Sequence, residues 1–267
     1  PSGTLVSGSE GLTSITPGIL PNPDVTWETA TIADVGLEGS LWKSKLQFVV
    51  DLFYKRTSDI LLKRIRSIPA TVGAQLPAEN YAVVDNKGIE LSLTHRNRIG
   101  ALDFYITLNG SYARSKVITL DEPANIPDYL LQTGRPLNFI TGYKALGYFQ
   151  SAEDVASYYP QFNGGQQPGD VKYADINGDK KVDANDITII SMDNSTPKVI
   201  GGLSFGGSIK GFDFAVLFQG ATKVNRLLDG MARTFFQGGS WNNFVDLKDH
   251  WTPDNPNARY PRPWEGP

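Results

Sequence analysis

At 267 residues, with 40% hydrophobic and 20% charged, the chain can bury a large core and excludes a disordered class. A formal charge of -3, a pI near 5.5 and no basic stripe argue against nucleic acid as a partner, and zero cysteines exclude disulfide scaffolding and thiolate metal sites. No apolar run reaches the roughly eighteen residues of a transmembrane helix, while a mean hydropathy of -0.25 leaves a barrel open, because a barrel's lumen face is polar.

The chain opens Pro1-Ser2-Gly3-Thr4 with neither an initiator Met nor a signal peptide and stops at Gly266-Pro267, which reads as part of something longer. Residues 1–30 are rich in Gly, Ser and Pro without a period and read as loop. Alternation then begins: Ala33, Val35, Leu37, Gly39 and Leu41 share one face, and Asp34, Gly36, Glu38 and Ser40 the other. After a short turn at Trp42-Lys43-Ser44 the return arm places Leu46, Phe48, Val50, Leu52 and Tyr54 on the apolar face and Gln47 and Asp51 opposite, with Val49 and Phe53 as interruptions.

From residue 57 to about 87 the pattern is irregular and reads as a long connection. A second hairpin follows, with Ile89, Leu91 and Leu93 against Glu90, Ser92 and Thr94, a turn at Asn97 to Gly100, and Leu102, Phe104, Ile106, Leu108 and Tyr112 against Asp103, Tyr105, Thr107, Asn109 and Ser111. More than eighty residues of little strand character, from Arg114 to Lys198, precede a third hairpin that turns at Lys210-Gly211. Its arms, about ten residues each, match a tilted strand that crosses a bilayer.

Strands are therefore expected over residues 31–56, 88–113 and 198–220, with long loops over 1–30, 57–87, 114–197 and 221–267, all in one domain. Tight turns at one end and long connections at the other predict an all-β fold: an antiparallel transmembrane β-barrel segment with short periplasmic turns and long extracellular loops carrying short helices. Trp27, Trp42, Tyr54 and Tyr112 lie near strand ends, where an aromatic girdle sits.

Four ordered stretches make the pattern specific: Asn22-Pro23-Asp24-Val25-Thr26-Trp27-Glu28, Gly142 to Phe149, Pro168 to Asp179, and Trp251-Thr252-Pro253-Asp254-Asn255-Pro256. In order and separation they resemble the SusC/RagA class of TonB-dependent outer-membrane transporters, over nearly the whole chain. The resemblance implies a barrel of about 22 strands with an internal plug. It also implies import of an oligosaccharide or peptide across the outer membrane of a Gram-negative bacterium, a SusD-type surface lipoprotein as cap, and TonB acting through a plug region absent from this sequence. The stretch would be the later-middle part of such a barrel, in contact with outer-membrane lipid and without catalytic activity. Asp34, Glu38, Gln47, Asp51, Glu90, Asp103 and Asn109 would line its lumen.

The strongest candidate site is the acidic loop 175–186. Asp175, Asn177, Asp179, Asp183 and Asp186 fall at loop positions one, three, five, nine and twelve, and Lys181 can give its carbonyl at seven, which is calcium-loop spacing. Lys180 stands where glycine is usual and Asp186 where a bidentate Glu is usual, so a structural calcium of weak affinity is expected. The other reading is a solvated acidic turn in which Asp183 caps a helix-like run from Asn185 to Ser191.

Gly202-Leu203-Ser204-Phe205-Gly206 spells a nucleophile elbow, but an elbow needs a strand-to-helix turn and these residues sit inside an alternating arm. His95 and His250 are the only histidines and read as surface residues. Ser151 to Asp154 resembles a capping box, and Ser240, Phe244, Leu247 and Trp251 have helical spacing. Tyr143, Tyr148, Phe149, Tyr158, Tyr159, Phe235, Phe236 and Trp241 form either a stacking platform for substrate or packing within loops and against the cap. The reading from a different class is a soluble calcium-stabilised β-sandwich that binds carbohydrate.

Overall fold

The structure is a computed structural model that describes residues 2–7 and 10–15 as backbone, and residues 19–63, 76–123, 126–228, 235 and 243–263 in full. Its elements in chain order are β1 Ser2–Ser7, β2 Glu10–Ile15, β3 Thr29–Leu41, β4 Leu46–Lys63, β5 Ala78–Ile99, β6 Leu102–Thr119, β7 Ile140–Tyr143, β8 Ala145–Tyr148, α1 Ala152–Ser157, β9 Val171–Tyr173, β10 Ile187–Ser191, β11 Val199–Ile209 and β12 Phe212–Thr222. They fall into two units, residues 1–138 with 196–224, and residues 139–195 with 225–267.

The first unit is an open antiparallel sheet in the order β12-β11-β6-β5-β4-β3, with β1 and β2 paired separately. Its tight turns follow from local backbone chemistry. Lys210 and Gly211 both have positive φ, 50° and 86°, which is the two-residue turn whose twist matches its strands. Trp42, Lys43 and Ser44 are all left-handed, and Gly100 (φ 60°), the last of the expected turn residues, turns β5 into β6, while Asn97 to Ile99 still belong to β5.

Register does the rest. Across all five pairings apolar stands beside apolar: Gly39, Phe48, Leu93, Leu108, Leu203 and Phe218 form one row, and Leu41, Leu46, His95, Ile106, Phe205 and Val216 another. A slip by one residue would turn every one of these side chains to the opposite face, so the alternation pins the pairing. Among the described residues no second sheet covers the apolar face; Val35 is 71% exposed and Leu52 is 52% exposed. The soluble-sandwich reading requires such a cover and does not describe this sheet.

From Leu102 to Tyr112 the apolar stripe of β6 runs about ten residue steps, or roughly 34 Å along the strand. At the tilt of barrel strands that projects to about 25 Å, the height of a lipid-facing band. Tyr54 and Tyr112 bound the stripe at one end, and Phe104, Phe212, Phe214 and the turn residue Trp42 lie at the other.

Three sequence expectations are corrected here. Strands β4, β5 and β6 run well into the spans read as loop, to Lys63, from Ala78 and to Thr119. The alternation was lost because pairing shifts register between Thr57 and Ile60, where Asp59 is left-handed (φ 56°) and its carbonyl accepts from Asn80. Such a bulge reverses the facing of the residues beyond it. Residues within 1–30 pair as β1 and β2, and the span 114–197 carries the short strands β7 to β10.

In the second unit β7 pairs with β10 and β8 with β9. Ser151 caps α1 as expected, its hydroxyl accepting from Asp154 N at 3.2 Å while the Asp154 carboxylate accepts from Gln150 N at 3.0 Å. The helix-like run Asn185 to Ser191 is instead a 3₁₀ turn, Ala184–Asp186, followed by β10; the β-branched Ile187-Thr188-Ile189-Ile190 favours the strand. Only Val245–Lys248, also 3₁₀, remains of the expected helix before Trp251, and Ser240 lies outside the described residues. Leu247, Phe235 and Tyr260 form a buried cluster there.

Candidate functional site

The polar face of the sheet gathers all seven expected lumen residues, Asp34, Glu38, Gln47, Asp51, Glu90, Asp103 and Asn109, by register. Asp51 stands opposite Glu90, and Glu90 opposite Ser111. Ser92 Oγ donates to Asn109 Oδ1 at 2.8 Å, and the Thr94 and Thr107 hydroxyls meet at 3.1 Å. A hollow of about 520 Å³ opens here, lined by Asp51, Glu90, Ser92, Asn109, Ser111 and Gln219 among others. Two carboxylates directly opposite repel, so this wall suits water and an incoming donor-rich ligand.

Towards the tight turns the same face becomes basic. Arg96 lies 5.6 Å from the Tyr105 ring centre, and Arg98 Nε approaches Asp103 Oδ1 at 3.8 Å, beside Lys43 and Lys45.

In the second unit the acidic loop is drawn around its own backbone. Asp175 accepts from Gly178 N (2.7 Å) and Lys180 N (2.9 Å), and Asp179 from Lys181 N (3.1 Å). The fully buried Asp186 accepts from Ile176 N at 2.8 Å and Asp183 N at 2.7 Å, closing a capping box with Asp183. Lys181 Nζ sits 2.6 Å from Asp183 and 3.7 Å from Asp179, and its ammonium holds the Asp183 carboxyl below the usual range. Among the described residues no three acidic or histidine side chains converge on one point.

Three of the four motif stretches meet in this unit. Trp251, 8% exposed, donates its indole N–H to Gln150 Oε1 at 3.3 Å, and its ring covers Gly169. A Cβ at Gly169 would collide with that ring and stand 2.8 Å from Arg262 Cβ, and φ of 88° also demands glycine. Arg262 Nε donates to Asp170 at 2.6 Å, and Gly169 N to Phe149 O at 2.7 Å. The motifs thus encode packing.

Beside this knot Lys172 Nζ lies 4.7 Å from the Tyr158 ring centre and 2.5 Å from Asp154 Oδ1. The Lys172 ammonium, then the Gln150 N–H, lowers the Asp154 carboxyl from its ordinary value of 3.8. The unfolded chain takes up this proton first, so the pair's stabilisation is complete above 3.8 and is lost as pH falls through the lower folded value. Lys172→Met is expected to remove part of the acid-side fall in thermal midpoint below about pH 4, which thermal unfolding across that range measures.

The sequence profile described as "TonB dependent receptor-like, beta-barrel" matches residues 5–189. The chain belongs to this TonB-dependent receptor family. Similar receptors include TonB-dependent receptor P26 of Formosa agariphila (strain DSM 15362), 30% identical over 94% of this chain, and TonB-dependent receptor P3 of the same organism, 27% identical over 91%. This receptor chain spans about a quarter of their lengths, 26% and 25%. Its fold is also that of the structure titled "Structure of the RagAB peptide transporter" (TM-score 0.63, 22% identity, covering 100% of this chain and 29% of that one). A RagAB peptide importer in the open-open state gives a TM-score of 0.66 at 20% identity, covering 100% and 28%.

Within the receptor fold the remaining candidates separate. Ser204 lies mid-strand in β11, paired with Thr107 and Leu217, so the elbow pattern is part of a ladder. Both histidines are half-buried rather than surface residues: His95 packs 5.8 Å from Phe104, and His250 has its Nδ1 3.0 Å from Leu247 O and its ring edge-on to Phe235 at 5.6 Å. Phe149 (1% exposed) and Phe235 (8%) pack and offer no face to a ligand. The Tyr148 hydroxyl donates to Arg259 O at 2.9 Å. Phe236 and Trp241 lie outside the described residues.

Tyr143 belongs to a different group that sequence reasoning missed. Phe162, 50% exposed, and Tyr173 stand 5.1 Å and 5.6 Å from it and 5.9 Å from each other. Phe162 holds a left-handed φ of 50°, costly for a bulky residue, between its N–H bond to Val182 O and the buried Gln161. Gln161 binds Val171 O at 3.0 Å and Tyr173 N at 2.6 Å, fixing both aromatics. No spacing in the sequence announces this, because the trio comes from three separate segments.

Proposed function

We propose that this chain forms wall and outer loops of an importer that carries a polar nutrient, an oligosaccharide or a peptide, across the outer membrane of a Gram-negative bacterium. A SusD-type surface lipoprotein delivers the substrate, and TonB acts through a plug segment that these residues do not include. The role involves no catalytic step. The observation that carries the reading is the two-faced sheet, apolar on one side from the row of Leu102 to the row of Tyr112 and lined with Asp51, Glu90, Ser92, Asn109 and Gln219 on the other. Exposed Phe162, backed by half-buried Tyr143 and Tyr173, adds a surface on which sugar or peptide groups can stack.

Deleting the gene is expected to abolish outer-membrane uptake of one labelled substrate class, and Phe162→Ala in the intact receptor to weaken substrate binding without reducing the amount of folded receptor. Unimpaired uptake of both oligosaccharides and peptides in the deletion strain would reject the reading.

The acidic loop enters as a structural calcium site, with side-chain oxygens from Asp175, Asn177, Asp179, Asp183 and Asp186 and the carbonyl of Lys181. Each carboxylate retains lone pairs beyond the N–H groups it accepts, and calcium would displace the Lys181 ammonium. Titration calorimetry is expected to give binding heat with the native receptor and to lose it in Asp175→Ala and Asp179→Ala. No heat from the native receptor would reject calcium.

A further inference from the structure

On the apolar side of the sheet the row Leu52, Ile89 and Tyr112 is the last without charge. Towards the long connections it is followed by Tyr54, Lys87 and Arg114, and then by Arg56, Asp85 and Lys116. Two residue steps advance about 7 Å along a strand, so after tilt these rows fall roughly 5–10 Å beyond the apolar band, at headgroup depth. Five charged groups there comprise four cations and one anion. The anion is already engaged: Asp85 receives Arg56 Nε at 2.8 Å and Nη2 at 2.9 Å, and the Tyr54 hydroxyl at 2.8 Å. Among the described residues Lys87, Arg114 and Lys116 make no ion pair.

Lys87, Arg114 and Lys116 line a hollow of about 420 Å³ together with Tyr54, the engaged Asp85 and a wall of Gly134 and Pro136. That wall is fixed to β6 through Gly134 N to Val117 O (2.8 Å) and Val117 N to Arg135 O (2.9 Å). At the opposite rim of the same face the ladder positions are His95, Asn97, Ile99, Leu102, Phe104, Phe212 and Phe214, none of them Lys, Arg, Asp or Glu. Like charges held together at this rim favour an anion between them, and the rim adjoins the surface that meets acyl chains.

We propose that this hollow binds the phosphate of an outer-leaflet lipid headgroup, with Lys87, Arg114 and Lys116 as its ligands and the acyl chains lying along the rows below. The leaflet assignment rests on the importer reading, in which the long connections face outwards.

The test uses the receptor purified in detergent from outer membranes, its folding checked by heat-modifiable migration. Native mass spectrometry compares binding of bis-phosphorylated lipid A, the same lipid without its phosphates, and inorganic phosphate. Native receptor is expected to retain the phosphorylated lipid selectively. The triple variant Lys87→Gln, Arg114→Gln, Lys116→Gln should retain it about a hundredfold less, at roughly fivefold per cation. Equal retention of the dephosphorylated lipid, equal retention by the folded variant, or inorganic phosphate binding as tightly as the lipid would each overturn the proposal while leaving the importer reading intact. A protein absent from the outer-membrane fraction would overturn that reading and this one with it.

Discussion

Leu108→Arg is expected to destabilise the receptor by about 2–4 kcal/mol, while Asn109→Arg, one residue along the same strand, should cost no more than about 0.5 kcal/mol. Leu108 stands mid-row between Leu93 and Leu203 on the apolar face, near the middle of its stripe, where a guanidinium has neither water nor an acid within reach. Asn109 points to the face that holds Ser92, Glu90 and Gln219, where an added cation meets carboxylates and solvent. Urea unfolding of the receptor reconstituted in lipid vesicles measures both, and similar losses at the two positions would mean that the faces do not differ in their surroundings.

The second large effect belongs to Trp251. Trp251→Ala should cost about 3–5 kcal/mol in the loop unit, since it removes a nearly buried indole, its bond to Gln150 and the cover over Gly169. Gly169→Ala approaches the same outcome from the other side: the left-handed φ alone costs about 1–2 kcal/mol, and the Cβ meets the indole. Limited proteolysis should cut both variants within residues 139–195 at protease levels that spare the native receptor, while heat-modifiable migration of the barrel persists. Loss of the barrel itself in Trp251→Ala would show that the two units do not fold separately.

Much of the sheet was legible because period-two alternation is a direct consequence of strand geometry. The hairpins centred on Trp42-Lys43-Ser44 and Lys210-Gly211 and the facing of Asp51, Glu90 and Asn109 follow from it. Legibility stopped where the chain departs from a plain ladder. The bulge at Asp59 reversed the facing and hid the last turns of β4 and the first of β5. In the loop unit the strands are three to five residues long, too short for any period. Buried Gln161 and left-handed Phe162 were unreadable for another reason, since their roles depend on Val171, Tyr173 and Val182, contacts that only the fold supplies. The acidic loop was legible as a motif, yet its carboxylates turned out to organise backbone N–H groups as well.

The basic rim around Lys87 and Arg114 shows the same limit from the other side. Each residue alone reads as a solvated charge, and only the registers of β4 with β5 and β5 with β6 place them in adjacent positions on the lipid side.

These 267 residues contain no cysteine, so single thiols can be introduced among them in a receptor from which any other cysteine has been removed. The most direct measurement places one at a time at Leu91, Leu108 and Leu203 and at Glu90, Asn109 and Ser204, with the receptor in lipid vesicles. A fluorophore at the first three should be quenched by nitroxide-bearing acyl chains and the thiols should resist a water-soluble maleimide, whereas the second three should label freely and escape quenching. Equal labelling and equal quenching across both sets would contradict a sheet with lipid on one side and a watery passage on the other.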